Sequence, residues 1–280
     1  TDAIARLVAQ AVGQKLGQTM VVENNGTAGG NVASQQAAAA SPDGYTVLMG
    51  ANTMLMASQL YKNVPFNPTK DFSSVSLAAW GTLMLVSNPK TGMKTVNDLV
   101  AQAKAKPGNI NFGSPGIGTP HHMAMELFKV KTNLFMLHVP YRGTAGYTQD
   151  ILSGEIMVGF LPVHIAQGFV NAGKLNALAV GSPKRHPVAP NVATFGELGI
   201  KDIEVDLWYA FFAPSKTSAP VVNRLNAEIS GILKLPEITD LLKRAGMDAS
   251  SSTTYEFRQL VNEDYPRWGE VIRRNGITAE

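Results

Sequence analysis

Cysteine is absent from this 280-residue sequence. That excludes disulfides, thiol nucleophiles and thiolate metal sites, and suits an oxidising compartment where stray thiols are a liability. No apolar run reaches the ~18 residues of a membrane span, and no charged-then-apolar leader opens the chain. Lys and Arg total 24 against 21 Asp and Glu, a net charge of +3, and the cations are scattered. The basic stripe of a nucleic-acid binder is therefore missing. Also missing are a Gly-Lys-Ser/Thr phosphate loop, a complete G-x-G-x-x-G and a G-x-S-x-G nucleophile elbow. What is there is a globular chain, 45% apolar and long enough for two domains, whose slight positive charge favours small anionic ligands.

The chain cycles through helix and strand. Thr1-Asp2 leads straight into Ile4, Leu7, Val8 and Ala11, the core face of a helix that Gly17 ends. A strand over 20–23, an alanine-rich helix over 32–40, a strand over 45–49 and a helix over 54–61 follow. A long apolar stretch over 75–88 reads as a strand crossing between lobes. The cycle then restarts: helix 96–106, strand 110–112, strand 134–139, helix 147–152, strand 156–161, a helix to 171 and strand 175–180. A short helix near Phe195, a second long apolar segment at 205–213 and helices at 221–233, 238–245 and 255–275 complete it. Continuous apolar strands of this kind belong to covered, largely parallel sheets. The expected architecture is α/β and two-lobed, with a ligand cleft between lobe 1 (1–86 and 212–280) and lobe 2 (87–211).

The most informative stretch is Asn111-Phe-Gly-Ser-Pro-Gly-Ile-Gly-Thr-Pro-His-His122, a strand that breaks into a small-residue turn and restarts as a helix. Gly113, Gly116 and Gly118 permit backbone turns and close approach, while Ser114 and Thr119 supply hydroxyls. Thr119 stands where an N-cap belongs, with Pro120 at the first helical position. Amides and the positive helix end facing such a turn suit a carboxylate, phosphate or sulfate. A well-capped joint that binds only water is the competing reading. Gly50-Ala-Asn-Thr53 and Pro140-Tyr-Arg-Gly-Thr-Ala-Gly146 repeat the theme.

Several spaced motifs, in order, carry a family resemblance: Glu23-Asn-Asn-Gly-Thr-Ala-Gly-Gly-Asn31, Ser41-Pro-Asp-Gly-Tyr-Thr46, Ala105-Lys-Pro-Gly-Asn-Ile-Asn-Phe112, His138-Val-Pro-Tyr-Arg-Gly143, Ala172-Gly-Lys-Leu-Asn-Ala-Leu-Ala179, Phe211-Phe-Ala-Pro214 and Leu225-Asn-Ala-Glu228. The chain resembles the Bug (TctC-like) solute-binding proteins of tripartite tricarboxylate transporters over essentially its whole length. The resemblance implies a type II periplasmic binding fold, a periplasmic location with the signal peptide already absent, and a monomeric receptor that catalyses nothing. It also implies no cofactor or metal. Its expected partners are a carboxylated small molecule, such as a di- or tricarboxylate or an aromatic dicarboxylate of the terephthalate type, and the membrane permease subunits. Such receptors grip a carboxylate with two strand-to-helix loops. One matches the 113–119 turn; the other precedes Thr1 and Asp2, so the first strand and its loop are expected to be missing from this chain. Many relatives carry an acidic residue and an asparagine after the phenylalanine at 160. Leu161 and Pro162 stand here instead, which argues against an amino-acid ligand.

Further candidates for ligand binding are Thr1 and Asp2 at the start of the chain, Asn52 and Thr53 as donors to a carboxylate, and the helix start at Gly143, Thr144 and Ala145. Arg142 would serve as partner for a second carboxylate, or else is a surface or lobe-bridging arginine. His121 would sit at the edge of the site. Phe160 and Trp208 either flank the ligand body or belong to the core. Two other readings exist. In one, Ser114 is the nucleophile of a hydrolase with His121 or His122 as base, although Pro115 removes an oxyanion-hole amide. In the other, the chain is the ligand-sensing domain of a signalling or regulatory system.

Overall fold

The computed structural model describes residues 1–26, 30–244 and 247–279, which leaves Thr27, Ala28 and Gly29 of the first family motif, and Ala245, outside the described residues. The chain divides into two compact units, residues 1–80 with 208–280 and residues 81–207.

The first unit opens with α1 (Asp2–Leu16), whose apolar stripe Ile4, Val8 and Val12 is buried and which stops at Gly17 with φ 67°. Only glycine adopts that left-handed conformation without steric cost. The strand expected over 20–23 pairs with no other strand among the described residues; Met20 packs on the core, while Val21 is 78% exposed. Then come α2 (Asn31–Ala38), β1 (Leu48–Ala51), α3 (Thr53–Leu60) and β2 (Phe72–Gly81). The stretch over 75–88 is not one strand: Thr82 alone separates β2 from β3 (Leu83–Ser87), which joins a different sheet. The units accordingly change over at Trp80/Gly81 and Leu207/Trp208, earlier in the chain than the expected 86/87 and 211/212.

The second unit continues with α4 (Val96–Ala105), closed at its start by a reciprocal Thr95/Asp98 capping box. It runs through β4 (Asn111–Ser114), α5 (Pro120–Thr132), β5 (Leu137–Pro140), α6 (Thr144–Ser153), β6 (Val158–Pro162), α7 (Val163–Asn171) and β7 (Asn176–Val180). The helix expected near Phe195 is a run of turns, anchored by a bridge between Val180 and Thr194. The sheet order is β5-β4-β6-β3-β7. β4 runs parallel to β5 and β6, but β3 is antiparallel to β6 and β7, so the largely parallel sheet expected is only half parallel. A fully apolar interior strand looks the same in either direction, because both its faces are covered.

The first unit is completed by β8 (Leu207–Pro214), α8 (Ala219–Leu233), α9 (Pro236–Arg244), β9 (Asp248–Ala249) and α10 (Thr254–Arg274). Its sheet has the order β1-β8-β2-β9, with β1 and β9 antiparallel to their partners. Alternate residues of β8 feed two cores: Phe211 and Ala213 pack with α1 and α8, while Trp208, Ala210 and Phe212 pack with Leu55 and Phe257. That division follows from the two-residue period of a strand.

Candidate functional site

β4 and β5 are parallel neighbours, so both deliver their chain to the same edge of the sheet, and each is followed there by a helix N-terminus. The two connecting loops are hydrogen-bonded to one another. Tyr141 N–H donates to Ser114 O at 2.9 Å and Gly143 N–H donates to Pro115 O at 2.9 Å. A side chain at Gly116, where φ is 150°, would meet Tyr141 O at 3.4 Å. Gly118 (φ 77°) and Gly143 (φ 109°) also hold conformations that favour glycine. Gly113 is different: a Cβ there would lie 2.6 Å from the Tyr147 ring, so its missing side chain makes room for core packing rather than for a ligand. Gly159 makes room for the same tyrosine, whose buried hydroxyl donates to Phe160 O at 2.7 Å.

Within the 113–119 turn most donors are already used. Gly116 N–H donates to Ser114 Oγ at 3.2 Å, Gly118 N–H to His122 Nδ1 at 3.3 Å and Thr119 N–H to Gly116 O at 3.3 Å. Thr119 Oγ1 accepts from His122 N–H as the expected cap and donates to Gly116 O at 2.7 Å. Pro115 and Pro120 carry no N–H. Among the described residues, the amides left without a partner are those of Ile117 and His121. At the neighbouring helix start, Thr144, Ala145 and Gly146 N–H likewise have no partner among the described residues, and none of those residues caps that helix with a side chain. Arg142, exposed in the loop just before α6, forms no ion pair among the described residues. The arrangement is two adjacent helix N-termini with free amides and one free cation, which is chemistry suited to an anion.

Beneath the turn lies a cluster that sequence reasoning missed. Phe112, His138 and His122 have nearly parallel rings, with centroids 4.7 Å apart for Phe112 and His138 and 4.3 Å for the two histidines. Lys129 Nζ sits 5.3 Å from the Phe112 ring centroid. His138 Nε2 lies 2.7 Å from Ser114 Oγ. Burial, then the neighbouring His138 and Lys129, pushes the His122 imidazole down to about 3; burial and Lys129 push His138 down to about 4. Both rings are neutral near pH 7. His121 is 6% exposed, burial lowers it to about 4, and neither of its ring nitrogens has a hydrogen-bond partner. Phe112 and Ser114 share a face by the two-residue period of β4, but His138 joins them only through strand register, standing opposite Phe112, and no local sequence signal reveals that pairing.

Of the remaining expected residues, only Phe160 belongs to the second unit. Thr1, Asp2, Asn52, Thr53 and Trp208 belong to the first unit. Asp2 bonds Arg6 and Asn24, and Asn52 is the buried residue before α3, its N–H donating to Trp208 O at 3.2 Å. Trp208 and Phe160 are both fully buried. The tryptophan Nε1–H donates to Asp264 at 2.8 Å, and Phe160 packs on Phe195 in the second unit. Both rings therefore fill cores here.

Comparison with known proteins agrees with this architecture. The family model described as tripartite tricarboxylate transporter family receptor, TctC, matches residues 4–277. Protein BugT of Bordetella pertussis is 30% identical over 278 residues, covering 99% of this chain and 85% of its own. Among solved structures, "R. palustris Rpa4515 with adipate" superposes with a TM-score of 0.92 at 27% identity, covering 99% of this chain and 93% of that one. MatC from Rhodopseudomonas palustris with bound malate gives 0.89 at 27%, covering 97% and 94%. The mixed α/β fold is that of periplasmic binding proteins. On the family match and the whole-length similarity together, the chain belongs to the Bug (TctC-like) family of periplasmic solute-binding receptors.

Proposed function

We infer that this protein is a periplasmic receptor, acting as a monomer and without catalysis, that binds a carboxylated small molecule at the paired helix N-termini of the second unit and delivers it to tripartite transporter permease subunits. One observation carries the reading: the turns before α5 and α6 are hydrogen-bonded to each other, and five amides in these turns and helix starts, with Arg142 in the second turn, have no partner among the described residues. A first carboxylate fits the amides, and Arg142 suits a second one, since its planar fork matches a carboxylate bidentately. The buried His121 ring supports the reading, because polar groups held out of water without a partner cost about 1–3 kcal/mol. The relatives solved with adipate and malate, both dicarboxylates, point the same way. Leu161 and Pro162 offer no charge to an ammonium group, which favours a ligand without one.

The 2.7 Å contact between Ser114 Oγ and His138 raises the hydrolase alternative again. Ser114 is fully buried, its hydroxyl is engaged at three atoms, and Pro115 has no amide to offer an oxyanion. A thermal-shift screen of dicarboxylates, aromatic acids, hydroxy acids and amino acids tests the receptor reading. A true ligand at a hundredfold excess over Kd stabilises by about 2.7 kcal/mol. Stabilisation by amino acids alone would refute the reading of Leu161 and Pro162. Ester turnover abolished by Ser114→Ala would refute the receptor in favour of the enzyme.

A further inference from the structure

The two stacked histidines under the turn divide the labour between them through their hydrogen bonds. Ser114 Oγ has three contacts: Gly116 N–H donates to it, Gly116 O lies 3.0 Å away and His138 Nε2 lies 2.7 Å away. A hydroxyl donates once and accepts twice. All three contacts are made at once only if the serine donates to Gly116 O and His138 donates from Nε2. At His122 the roles are reversed. Its Nδ1 accepts from Gly118 N–H at 3.3 Å, so the proton must sit on Nε2. Glu126 Oε1, 3.7 Å from that Nε2, favours the same tautomer, and Lys129 holds the carboxylate there at 2.7 and 2.9 Å.

We propose that His122 and His138 are positioning residues of the anion site, acting through opposite functions of the ring: His122 as acceptor at Nδ1 and His138 as donor at Nε2. Together they hold the Gly116 and Gly118 amides inward, which fixes the turn so that the Ile117 and His121 amides remain free for ligand. The proposal rests on reading the 113–119 turn as the anion site. It deepens that reading by naming the groups that shape the site without touching the ligand. Their neutrality matters, since a proton on His122 Nδ1 would face the Gly118 N–H and open the turn. The charged and titratable groups facing these rings are Glu126 and Lys129 from α5, with each histidine facing the other across the α5–β5 contact.

The test exploits shape. Asn places its amide oxygen near the Nδ1 position of histidine and Gln places its amide nitrogen near Nε2, whereas Phe keeps the ring and removes both nitrogens. With adipate and malate as calorimetric probes, His122→Asn and His138→Gln should bind within threefold of the unaltered protein. His122→Phe and His138→Phe should bind about fivefold to tenfold more weakly, roughly the worth of one lost hydrogen bond. If packing alone were at work, the Phe variants would be the benign pair, and that result overturns the proposal. Nitrogen-15 NMR of labelled histidine in the unaltered protein gives an independent decision: both rings should be neutral Nε2–H tautomers at pH 7. An Nδ1–H tautomer at either ring also overturns it. If neither probe binds the unaltered protein, the carboxylate reading suffers, and the tautomers alone decide the positioning role.

Discussion

Lowering the pH from 7 to 5 should destabilise the second unit by about 4 kcal/mol, with the origin confined to buried imidazoles. His121 and His122 are 6% and 3% exposed, and their pKa values in the fold are about 4 and about 3 against an ordinary 6.5. Burial dominates both shifts. A depressed folded value means that the unfolded chain binds more protons between 6.5 and the folded pKa, so stability rises with pH. The contribution is complete above 6.5 and is lost as pH falls towards 4 and then 3. At pH 5 each released imidazole gains about RT ln(1 + 10^1.5), or about 2 kcal/mol, and the two give about 4 kcal/mol. His138 adds a smaller increment, because it is partly exposed and solvent screens it. Carboxylates held low in the fold, such as Asp98, Glu197 and Glu256, lose their contributions only as pH falls below their ordinary values of 3.8 to 4.5, and the Thr1 amino group, which burial also holds low, belongs to the first unit.

The sequence supplies its own control. All five histidines lie within 81–207, whereas the three tryptophans, Trp80, Trp208 and Trp268, lie in the first unit. Urea unfolding followed by circular dichroism, with tryptophan fluorescence recorded in parallel, separates the two. With a denaturant slope of about 2 kcal/mol per molar urea, the second unit's midpoint should fall by about 2 M between pH 7 and pH 5. An unchanged midpoint for that unit, or a shift seen only in the tryptophan signal, would show that the buried imidazoles do not carry this pH dependence.

Arg142→Gln should weaken dicarboxylate binding by about tenfold at low salt and less at high salt, with stability changed by under about 0.5 kcal/mol, because the exposed guanidinium has no ion-pair partner to lose. Calorimetry at two ionic strengths checks both parts. Thr119→Val should cost about 1 kcal/mol of stability as well as affinity, since the hydroxyl both caps α5 and bonds Gly116 O, whereas Thr119→Ser should preserve both. Gly159→Ala should cost about 1–3 kcal/mol by driving a methyl group into the buried Tyr147 side chain, read as a lower urea midpoint. Trp208→Phe should cost a similar amount, because the buried Asp264 would lose the indole donor.

Local signals carried far along this chain. Gly17 ended α1, Thr119 and Pro120 began α5, and alternating helices and strands implied an α/β protein; each depends on residues within a few positions of one another. Short-range patterns failed where partners were distant. The 20–23 segment looks like a strand but has no strand partner among the described residues. Residues 75–88 look like one strand but serve two sheets, and the apolar core strands could not show which of them run antiparallel.

The candidate site divides in the same way. Sequence by itself determined that a glycine-rich turn, two hydroxyls and a helix start stand in a row at 113–119, because capping and backbone freedom are properties of adjacent residues. Tertiary structure alone decided that the 140–143 loop lies beside that turn, that Gly113 serves Tyr147, and that His138 reaches Ser114 and stacks on His122. Those facts depend on the register of β4 against β5, which is set by hydrogen bonds and packing between segments more than twenty residues apart, and on a burial that keeps the histidines neutral.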